Sequence, residues 1–379
     1  MNRSTDFEAR LHTVRSHYRV TPWLQPREDE SPLLRSWQRC RDAGMREGER
    51  VNFELVSRSL LAELDDQHGA LLQTARPETE RLAQALRGSG CAVLLFNPRG
   101  VVIDRLCHEA STPGTLLQAT RKGVNIAERC VGTTAPAIAL MEGVPYLVGR
   151  DAHFFANMRP FFCVAAPIDS PSGERVGALD ITAYDSLPGF DVYSLVVDAA
   201  AAIENRLFRA DRDHLLVHFH PRAELLGTPM EGLLQVDDRG VVCGANRAAA
   251  RLLCRTRAML IGSAFCELFD RRLQGLFARP ASARNDLVEM GTRAGLQVMA
   301  RFEGETAIGE SAVRQADAPA RTGDGAGDRA LPELPASMRD LERIAIERTL
   351  VSLGGNVAAT ARQLGISRNT IYRRRGGCA

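Results

Sequence analysis

The sequence predicts a multidomain α+β protein, with two mixed sheet-and-helix domains followed by a small all-α domain. The chain has 379 residues, of which 45% are hydrophobic and 25% charged, which suits two or three soluble domains. Short strand-like runs at 91–96, 101–103 and 176–181 alternate with helical patterns. From residue 337 onward the patterns are only helical and are separated by glycines.

Composition excludes several classes of protein. Lys122 is the single lysine among 48 basic residues, and Gly123 follows it, so a P-loop motif is excluded. The V-A-I-K context of a protein kinase lysine is also missing. Nine scattered cysteines form no C-x-x-C pair, and we expect mostly reduced thiols. No stretch reaches the roughly 18 uncharged apolar residues of a membrane helix, and 1–10 lacks an apolar signal core, so we expect a cytoplasmic protein with no membrane partner.

The chain divides into six predicted segments. In order they are an N-terminal helical region (1–75), a first α+β domain (76–190), a linker helix (191–228), a second α+β domain (229–302), a flexible linker (303–336) and the all-α domain (337–379). The flexible linker is predicted because 303–336 holds eight alanines, five glycines and three prolines but no aromatic residue.

The linker helix is predicted from apolar residues that recur from Leu195 to Leu207 and again at Leu215 and Leu216, which extends it to about Leu226. Its three histidines are His214, His218 and His220. An i, i+4 histidine pair on a helix can bind a metal. Since no convincing third ligand lies nearby, we favour a solvated helix and predict no metal site.

The all-α domain has the punctuation of helices joined by a tight turn. Gly354 ends a first helix, and Asn356 is placed to cap a second helix over 357–364. Gly365 then permits a turn at positive φ, and Ser367 caps the last helix. This pattern predicts a helix-turn-helix, in which the small Ala361 lies where the helices cross.

The residues predicted to bind DNA are the two caps and the exposed face of the last helix: Asn356, Ser367, Arg368, Asn369, Thr370, Tyr372, Arg373, Arg374 and Arg375. Arginine and asparagine can pair bidentately with guanine and adenine. Residues 339–375 hold eight arginines against three acidic residues, a net charge of +5 on a chain whose total is +2. Such a surface favours double-stranded DNA as partner. The alternative is an ordinary helical hairpin with a solvated arginine face.

The first helix of this domain, 338–353, has apolar residues around well over half of its circumference. The excess apolar face predicts a homodimer. The run L-E-R-I-A-I-E-R-T-L-V-S-L-G-G-N-V-A-A-T-A-R-Q-L-G-I-S-R-N-T-I-Y-R-R-R resembles the Fis-type DNA-binding domain, which in that family stands at the C-terminus of enhancer-binding activators.

One group of motifs lies in residues 91–184, with one more upstream: Glu128, G-T-T-A (132–135), A-H-F (152–154), C-V-A-A-P-I (163–168), G-A-L-D-I (177–181) and the upstream S-W-Q-R-C (36–40). With these features, residues 91–184 resemble the GAF domain of acetoin and glycerol catabolism regulators. At 134–138 this sequence departs from the family pattern G-T-N-G-I-G-T-A-L. A GAF fold implies a half-open apolar pocket, which we expect Phe154, Phe155, Phe161, Phe162 and Cys163 to line, with His153 as its polar element. Most of these residues suit a core equally well.

Residues 232–269 contain G-L-L-Q-V-D-D-R-G-V-V, then A-N-R-A-A at 245–249, then L-L-C and L-I-G. Through these motifs the segment resembles a PAS domain. Asp237 to Gly240 is predicted to be the turn between its first two strands, and Asn246 is expected to cap the helix that follows. The photoreactive flavin motif N-C-R-F-L-Q and an identifiable haem pattern are both missing from the sequence. We therefore predict no cofactor, and a domain that can serve dimerisation alone.

Together the resemblances imply a dimeric, cytoplasmic transcription regulator that responds to a small-molecule or redox signal and has no catalytic residues. Enhancer-binding activators carry a central AAA+ ATPase of a few hundred residues, but here only 303–336 fills that interval. Regulation by occupancy is therefore expected, with contact to RNA polymerase and repression both open. The alternative is a redox enzyme like the GAF-fold free methionine sulfoxide reductases with a DNA-binding tail, since thiolates attack sulfoxides.

Overall fold

A computed structural model describes residues 31–186, 188–211, 213–271 and 287–304, together with Val357 and Ala361. The chain divides into two compact units, Met1–Ala316 and Asp317–Ala379. In the second unit the two described residues are helical, and Ala361 is buried at 7% exposure. Among the described residues, none of the helices combines the length and the apolar character that a membrane span requires.

Among the described residues, three helices precede the first sheet: α1 (Pro32–Asp42), α2 (Arg58–Gln67) and α3 (Gly69–Ala85). Pro32 begins α1, where its missing N–H leaves no helical hydrogen bond unmade. Ser57 caps α2 by accepting a hydrogen bond from the backbone N–H of Leu60 at 3.2 Å. Helices are therefore present in the part of the predicted N-terminal helical region that the structure describes.

The first sheet has five antiparallel strands in the order β2-β1-β5-β4-β3. The strands are β1 (Ala92–Phe96), β2 (Val102–Cys107), β3 (Tyr146–Gly149), β4 (Phe161–Asp169) and β5 (Arg175–Tyr184). Helices α4 (Gly114–Ala119), α5 (Glu128–Val131) and α6 (Ala135–Glu142) lie between β2 and β3 in the chain. The three strand runs predicted from the sequence are confirmed.

Both faces of the first sheet are buried. Leu94 and Ala165 point to one face, where they pack with residues of α1, α5 and α6. Val164 and Leu179 point to the other, where they pack with residues of α3 and of α7 (Val192–Ala210). Since side chains alternate along a strand, each strand supplies both cores. The sheet is the middle of three layers, and we call the face toward α6 its inner face.

The prediction of a helix continuing to about Leu226 is wrong beyond Ala210, where α7 ends. Residues Leu215–His220 form strand β6 instead. Leu215, Val217 and Phe219 face one hydrophobic core, while Leu216 faces another with Phe208. This alternation has the two-residue period of a strand. Because both faces of the segment are buried, it folds as a strand and not as the predicted helix.

The second sheet has the order β8-β7-β6-β10-β9, and every neighbouring pair is antiparallel. Its other strands are β7 (Gly232–Val236), β8 (Val242–Ala245), β9 (Val288–Gly291) and β10 (Gln297–Glu303), and its helices are α8 (Arg247–Leu252), α9 (Arg257–Leu260) and α10 (Phe265–Leu268). The turn predicted at Asp237 to Gly240 joins β7 to β8. Asn246 caps α8 as predicted, accepting from the N–H of Ala249 at 2.7 Å. Glu303, assigned to the flexible linker, is the last residue of β10.

Candidate functional site

The predicted DNA-binding residues lie outside the described residues. They are Asn356, Ser367, Arg368, Asn369, Thr370, Tyr372, Arg373, Arg374 and Arg375. The neighbouring Val357 and Ala361 are helical, in the stretch expected to form the second helix of the motif. The DNA-binding assignment therefore stays a prediction from the sequence.

The motif S-W-Q-R-C lies on α1 and fastens that helix to the first sheet domain. Trp37 is 4% exposed, and its indole Nε1 donates to the carbonyl oxygen of Ala152 at 2.9 Å. The indole also meets the ring of Phe154 edge-on at 5.3 Å between centroids. The buried, hydrogen-bonded indole therefore fixes the position of α1 against the segment that contains Ala152 and Phe154.

Glu128 is the second fastening point of α1. The hydroxyl of Ser36 donates to Glu128 Oε2 at 2.6 Å and lies 2.8 Å from the hydroxyl of Thr133. The guanidinium of Arg39 donates to both Glu128 oxygens, at 2.6 and 2.9 Å. The hydrogen bond to Glu128 raises the pKa of Arg39 against the effect of burial. Residues that resemblance alone had singled out thus meet in one polar cluster.

Glu142, at the end of α6, extends this cluster. Its Oε2 accepts from Nε and Nη2 of Arg35 at 2.8 and 2.6 Å, and its Oε1 accepts from Nη1 of Arg39 at 2.5 Å. Burial opposes ionisation, but the two arginines outweigh it and lower the pKa of Glu142. Arg39 therefore ties α1 to both α5 and α6.

His153, predicted to be the polar element of a pocket, is fully buried. Its Nδ1 lies 3.0 Å from the carbonyl oxygen of Thr133, and its Nε2 lies 3.0 Å from that of Phe161. Burial lowers its pKa to about 4, so the ring is neutral at pH 7. Both nitrogens face backbone carbonyl oxygens, and because a neutral ring has a single N–H, His153 donates a hydrogen bond to only one of the two carbonyls at a time.

The other predicted pocket residues do not share one surface. Phe154 packs in the inner-face core against Trp37, and Cys163 points to the same side. Phe162 points to the opposite face and packs with residues of α3 and α7. Phe162 therefore cannot line a pocket together with Cys163, because adjacent strand residues point in opposite directions. Phe155 and Phe161 also belong to the inner-face core.

The inner face carries a buried carboxyl group that the sequence reasoning did not single out. Asp180 lies on β5 at 0% exposure, and its Oδ2 is 2.5 Å from the hydroxyl of Thr182. That hydroxyl is also 3.3 Å from Sγ of Cys163. Asp180 Oδ1, which we call the open Asp180 oxygen, has no hydrogen-bond partner among the described residues. The signal in the sequence was an acidic residue between Leu179 and Ile181 in a strand buried on both faces.

Burial raises the pKa of Asp180 to about 8, while its hydrogen bond from Thr182 acts in the opposite direction. The carboxyl group is therefore mostly protonated at neutral pH. In that form it can donate to Thr182 Oγ1, which leaves the single hydroxyl hydrogen of Thr182 for Cys163. Burial also raises the pKa of Cys163 well above its ordinary value, so the thiol stays neutral.

The Asp180→Asn variant is expected to change how stability depends on pH. The folded pKa of about 8 exceeds the ordinary 3.8, so the folded state holds the proton more tightly. The resulting stabilisation is complete below pH 3.8 and is lost as pH rises to about 8. Relative to Asp180→Asn, the wild type should lose up to about 1.4 kcal/mol per pH unit in that window. Urea unfolding of both proteins at several pH values measures this difference, and parallel curves would contradict the raised pKa.

A second charged cluster joins the two sheet domains at Asp169, the last residue of β4, which is 5% exposed. Its carboxylate pairs with Arg175, with Nη2 of Arg247 at 2.5 Å and with Nη1 of Arg257 at 2.9 Å. Arg247 also contacts the buried Glu204 of α7 at 3.3 Å. Arg247 and Arg257 belong to helices of the second domain, so one carboxylate anchors that domain to the first. We call these five residues the Asp169 cluster.

The Asp169 cluster also reaches the C-terminal end of α6. Nη1 of Arg175 donates to the carbonyl oxygens of Ala139 and Leu140 at 2.6 and 2.8 Å. Nη1 of Arg247 donates to the carbonyl of Gly143 at 3.0 Å. Arginines suit this position because the last carbonyls of a helix have no helical partner and carry partial negative charge. A displacement of α6 therefore disturbs the contact between the two domains directly.

The predicted solvated histidine helix is wrong, because His218 lies in β6 and is fully buried. Its Nδ1 is 3.0 Å from Glu231 and its Nε2 is 3.2 Å from Glu303. Arg209 donates to the other oxygen of Glu231 at 2.6 Å. The described residues contain no group of three or more His, Cys, Asp or Glu side chains arranged to hold a metal ion.

The described cysteines are free thiols. Four of them have a raised pKa, which disfavours the thiolate form. Burial raises the pKa of Cys40 and of Cys243 to about 11, and it also raises those of Cys91 and Cys163. A nucleophilic cysteine needs the opposite shift. These four thiols therefore do not support the alternative of a methionine sulfoxide reductase.

A surface cavity of about 290 Å³ lies between α1, the β1–β2 turn and the helices α5 and α6. Its lining residues are Arg39, Cys40, Ala43, Met45, Pro98, Arg99, Gly100, Ala127, Glu128, Arg129, Ala137, Leu140 and Met141. The cavity is distinct from the predicted set of His153, Phe154, Phe162 and Cys163. It adjoins the Arg39–Glu128 contact.

Family models match two segments of the chain. Residues 8–205 match the family described as MimR, N-terminal domain, and residues 337–376 match the bacterial regulatory proteins of the Fis family. The second match covers the predicted helix-turn-helix, and residues 206–336 separate the two segments. The chain thus joins a sensory segment to a DNA-binding segment without room for the ATPase of a few hundred residues that enhancer-binding activators carry.

Two of the curated relatives are transcription regulators by name. The acetoin catabolism regulatory protein of Cupriavidus necator is 28% identical over 279 residues, which cover 70% of this chain and 42% of that protein. The propane 2-monooxygenase operon transcriptional activator MimR of Mycolicibacterium smegmatis is 27% identical over 209 residues, covering 55% of this chain and 35% of that protein. The chain thus spans about two fifths or less of these relatives' length.

Among solved structures, the E. coli DhaR(N)–DhaL complex is similar to 73% of this chain, covering 100% of the matched chain. Its TM-score is 0.45 and its sequence identity 16%.

Proposed function

Because the chain belongs to the MimR N-terminal domain family, we propose that it is a sequence-specific DNA-binding transcription regulator controlled by a small-molecule or redox signal. The observation that carries this proposal is the presence of that N-terminal segment and a Fis-family segment in one chain. The relatives' names refer to acetoin catabolism and to a propane 2-monooxygenase operon, which supports a catabolic compound as the signal.

We assign the first sheet domain as GAF-like and the second as PAS-like. Helices between β2 and β3 and a sheet covered on both faces support the first assignment. The β7–β8 hairpin with the cap at Asn246 supports the second. Because β6 is the central strand of the second sheet, we place the start of that domain at Leu215 rather than at 229.

The proposed mechanism uses α6 as the moving element. Its C-terminal end contacts α1 through Glu142 and the Asp169 cluster through Arg175. A signal received on the inner face of the first sheet would therefore change the contact between the sheet domains. The regulator acts by occupying its DNA site, without ATP hydrolysis. It binds as a homodimer that associates through residues 338–353. Contact with RNA polymerase and repression are both compatible with this mechanism.

Variants of the predicted recognition helix test the DNA-binding role. We expect Arg368→Ala and Asn369→Ala to reduce discrimination between operator and other DNA by about 1–3 kcal/mol, because each removes a bidentate base contact. Arg374→Ala should weaken binding to all sequences similarly, because a phosphate contact carries no sequence information. Quantitative footprinting on operator and scrambled DNA separates the two effects. Unchanged footprints in all three variants would reject this helix as the reader of the DNA.

A further inference from the structure

A buried histidine in the second sheet has a carboxyl group at each ring nitrogen. His218 lies on the central strand β6 at 0% exposure. Its Nδ1 is 3.0 Å from Oε2 of Glu231, and its Nε2 is 3.2 Å from Oε2 of Glu303. An ionised carboxylate accepts hydrogen bonds and donates none, so both contacts are hydrogen bonds when both ring nitrogens carry a hydrogen. This geometry fits the imidazolium form of the ring.

Glu231 is the fixed partner of the ring. It is also 0% exposed, and it accepts from Arg209 of α7 and from the backbone N–H of Gly227, each at 2.6 Å. Burial opposes its ionisation, but the hydrogen bond and charge of His218 and the contacts with Gly227 and Arg209 outweigh burial and lower the pKa of Glu231. A buried carboxylate that is ionised and held by several donors keeps its position, because moving it would leave those donors unsatisfied.

Glu303 is the releasable partner of the ring. Its side chain is 57% exposed, and the ring of His218 is the hydrogen-bond partner that the structure gives its carboxylate among the described residues. Water can therefore replace this contact, whereas it cannot reach Glu231 in the same way. If the ring loses one proton, a bare nitrogen that faces a carboxylate brings two acceptors together. We expect the ring to keep its N–H on Glu231 and to give up the contact with Glu303.

Four charged side chains face His218 from the elements around it: Glu231 before β7, Glu303 and Arg301 of β10, and Arg209 of α7. The carboxylates favour the imidazolium, and the guanidinium groups oppose it. On β6 itself, His220 lies two residues away on the same face. Leu233, the residue of β7 directly across from His218, is uncharged. Opposing charges thus surround the ring, and Glu303 is the carboxylate among them that can leave.

We propose that His218 is a proton-dependent latch on the end of β10. The imidazolium ties Glu303, the last residue of that strand, to the buried pair of Glu231 and Arg209 at the end of α7. When one ring proton passes to solvent, the ring stays with Glu231, and water solvates the released Glu303 carboxylate. Histidine is the side chain whose charge ordinarily changes between about pH 5 and 8. The latch sets how firmly the second sheet domain holds the chain where residues 304–336 lead on toward the Fis-family segment.

This inference goes beyond the proposed function, because it concerns the second sheet domain alone. Ring nitrogen NMR of the full-length protein, labelled with 15N in its histidines, tests it directly, since the shifts distinguish the imidazolium from each neutral tautomer. The His218 signals are those missing from His218→Gln. If that variant does not fold, replacing the other seven of the eight histidines in turn identifies them. We expect an imidazolium at about pH 5 and a neutral ring protonated at Nδ1 by about pH 9.

Glu303→Gln tests the role of the releasable carboxylate. It keeps the size of the side chain but removes the charge, so we expect the proton affinity of the His218 ring to fall at least about threefold. Glu289→Gln is the matched control. Glu289 is an exposed residue of β9, which pairs with β10 and not with β6, and its loss should change that affinity by less than about 1.5-fold. Both residues are exposed, so both variants should fold.

Amide hydrogen exchange over 297–303 measures the effect of the latch on β10. After correction for the intrinsic rate, we expect these amides to exchange at least about threefold faster once the ring has lost its proton. Glu303→Gln should show no such step, because its neutral side chain is not held by the charge of the ring.

Four results would overturn the inference. The His218 ring could stay neutral over the whole titration, or it could stay an imidazolium over all of it. Its proton affinity could be the same in Glu303→Gln as in the wild type. The exchange of 297–303 could also show no step at the pH where the ring titrates.

Discussion

Trp37→Ala is expected to lower the free energy of unfolding of the N-terminal unit by about 3–5 kcal/mol, the usual range for removing a buried aromatic side chain. The indole packs edge-on against Phe154 and donates to the carbonyl of Ala152. Its loss leaves a cavity between α1 and the first sheet domain and an unsatisfied carbonyl. The neighbouring contacts of Ser36 and Arg39 with Glu128 should weaken with it. Urea unfolding followed by circular dichroism measures the change.

Trp37→Phe is the matched control. It keeps an aromatic ring but removes the donor to Ala152. We therefore expect Trp37→Phe to lower the free energy of unfolding by about 1–3 kcal/mol, less than Trp37→Ala does. An unchanged urea midpoint for Trp37→Ala would contradict this account, because it would show that the contacts of the indole with Phe154 and Ala152 do not stabilise the fold.

The second large effect is expected for Asp169→Asn, at about 2–4 kcal/mol of destabilisation. Removing one partner of a buried pair leaves the other charge uncompensated, which can destabilise by about 3–5 kcal/mol. We reduce that range because Arg175, Arg247 and Arg257 are each partly exposed and water screens them. The variant removes the one carboxylate that all three arginines share.

Asp151→Asn provides the control for this change. Asp151 pairs with Arg159 at 3.2 Å, but both side chains are more than a third exposed, so a change below about 1 kcal/mol is expected. Comparing the two variants by urea unfolding separates the Asp169 cluster from surface ion pairing. Equal, small effects in both would show that the Asp169 cluster does not hold the two sheet domains together.

Local patterns in the sequence were sufficient to predict individual elements. The strand at 91–96, the turn from Asp237 to Gly240 and the cap at Asn246 depend on neighbours within a few residues. The helix predicted past Ala210 failed because the apolar pair Leu215 and Leu216 fits both periods. Only burial on both faces of β6, a property of the folded chain, decides between them.

The sites depend on contacts that local patterns do not contain. Asp169 meets Arg247 and Arg257 across 78 and 88 residues of sequence. The resemblance singled out Glu128 and the S-W-Q-R-C motif but could not show that they touch. His153 was expected to face a pocket, yet both its nitrogens face backbone carbonyls, whose positions only the folded chain fixes.

Genome-wide occupancy of the tagged full-length protein, compared with a version ending before Met338, tests the central claim most directly. The account predicts discrete occupied sites that disappear on truncation, because 337–376 holds the Fis-family segment. The genes beside those sites would also indicate which compounds to try as effectors. An absence of discrete sites under several growth conditions, or sites that persist in the truncated protein, would contradict a DNA-binding regulator that reads its operator through this segment.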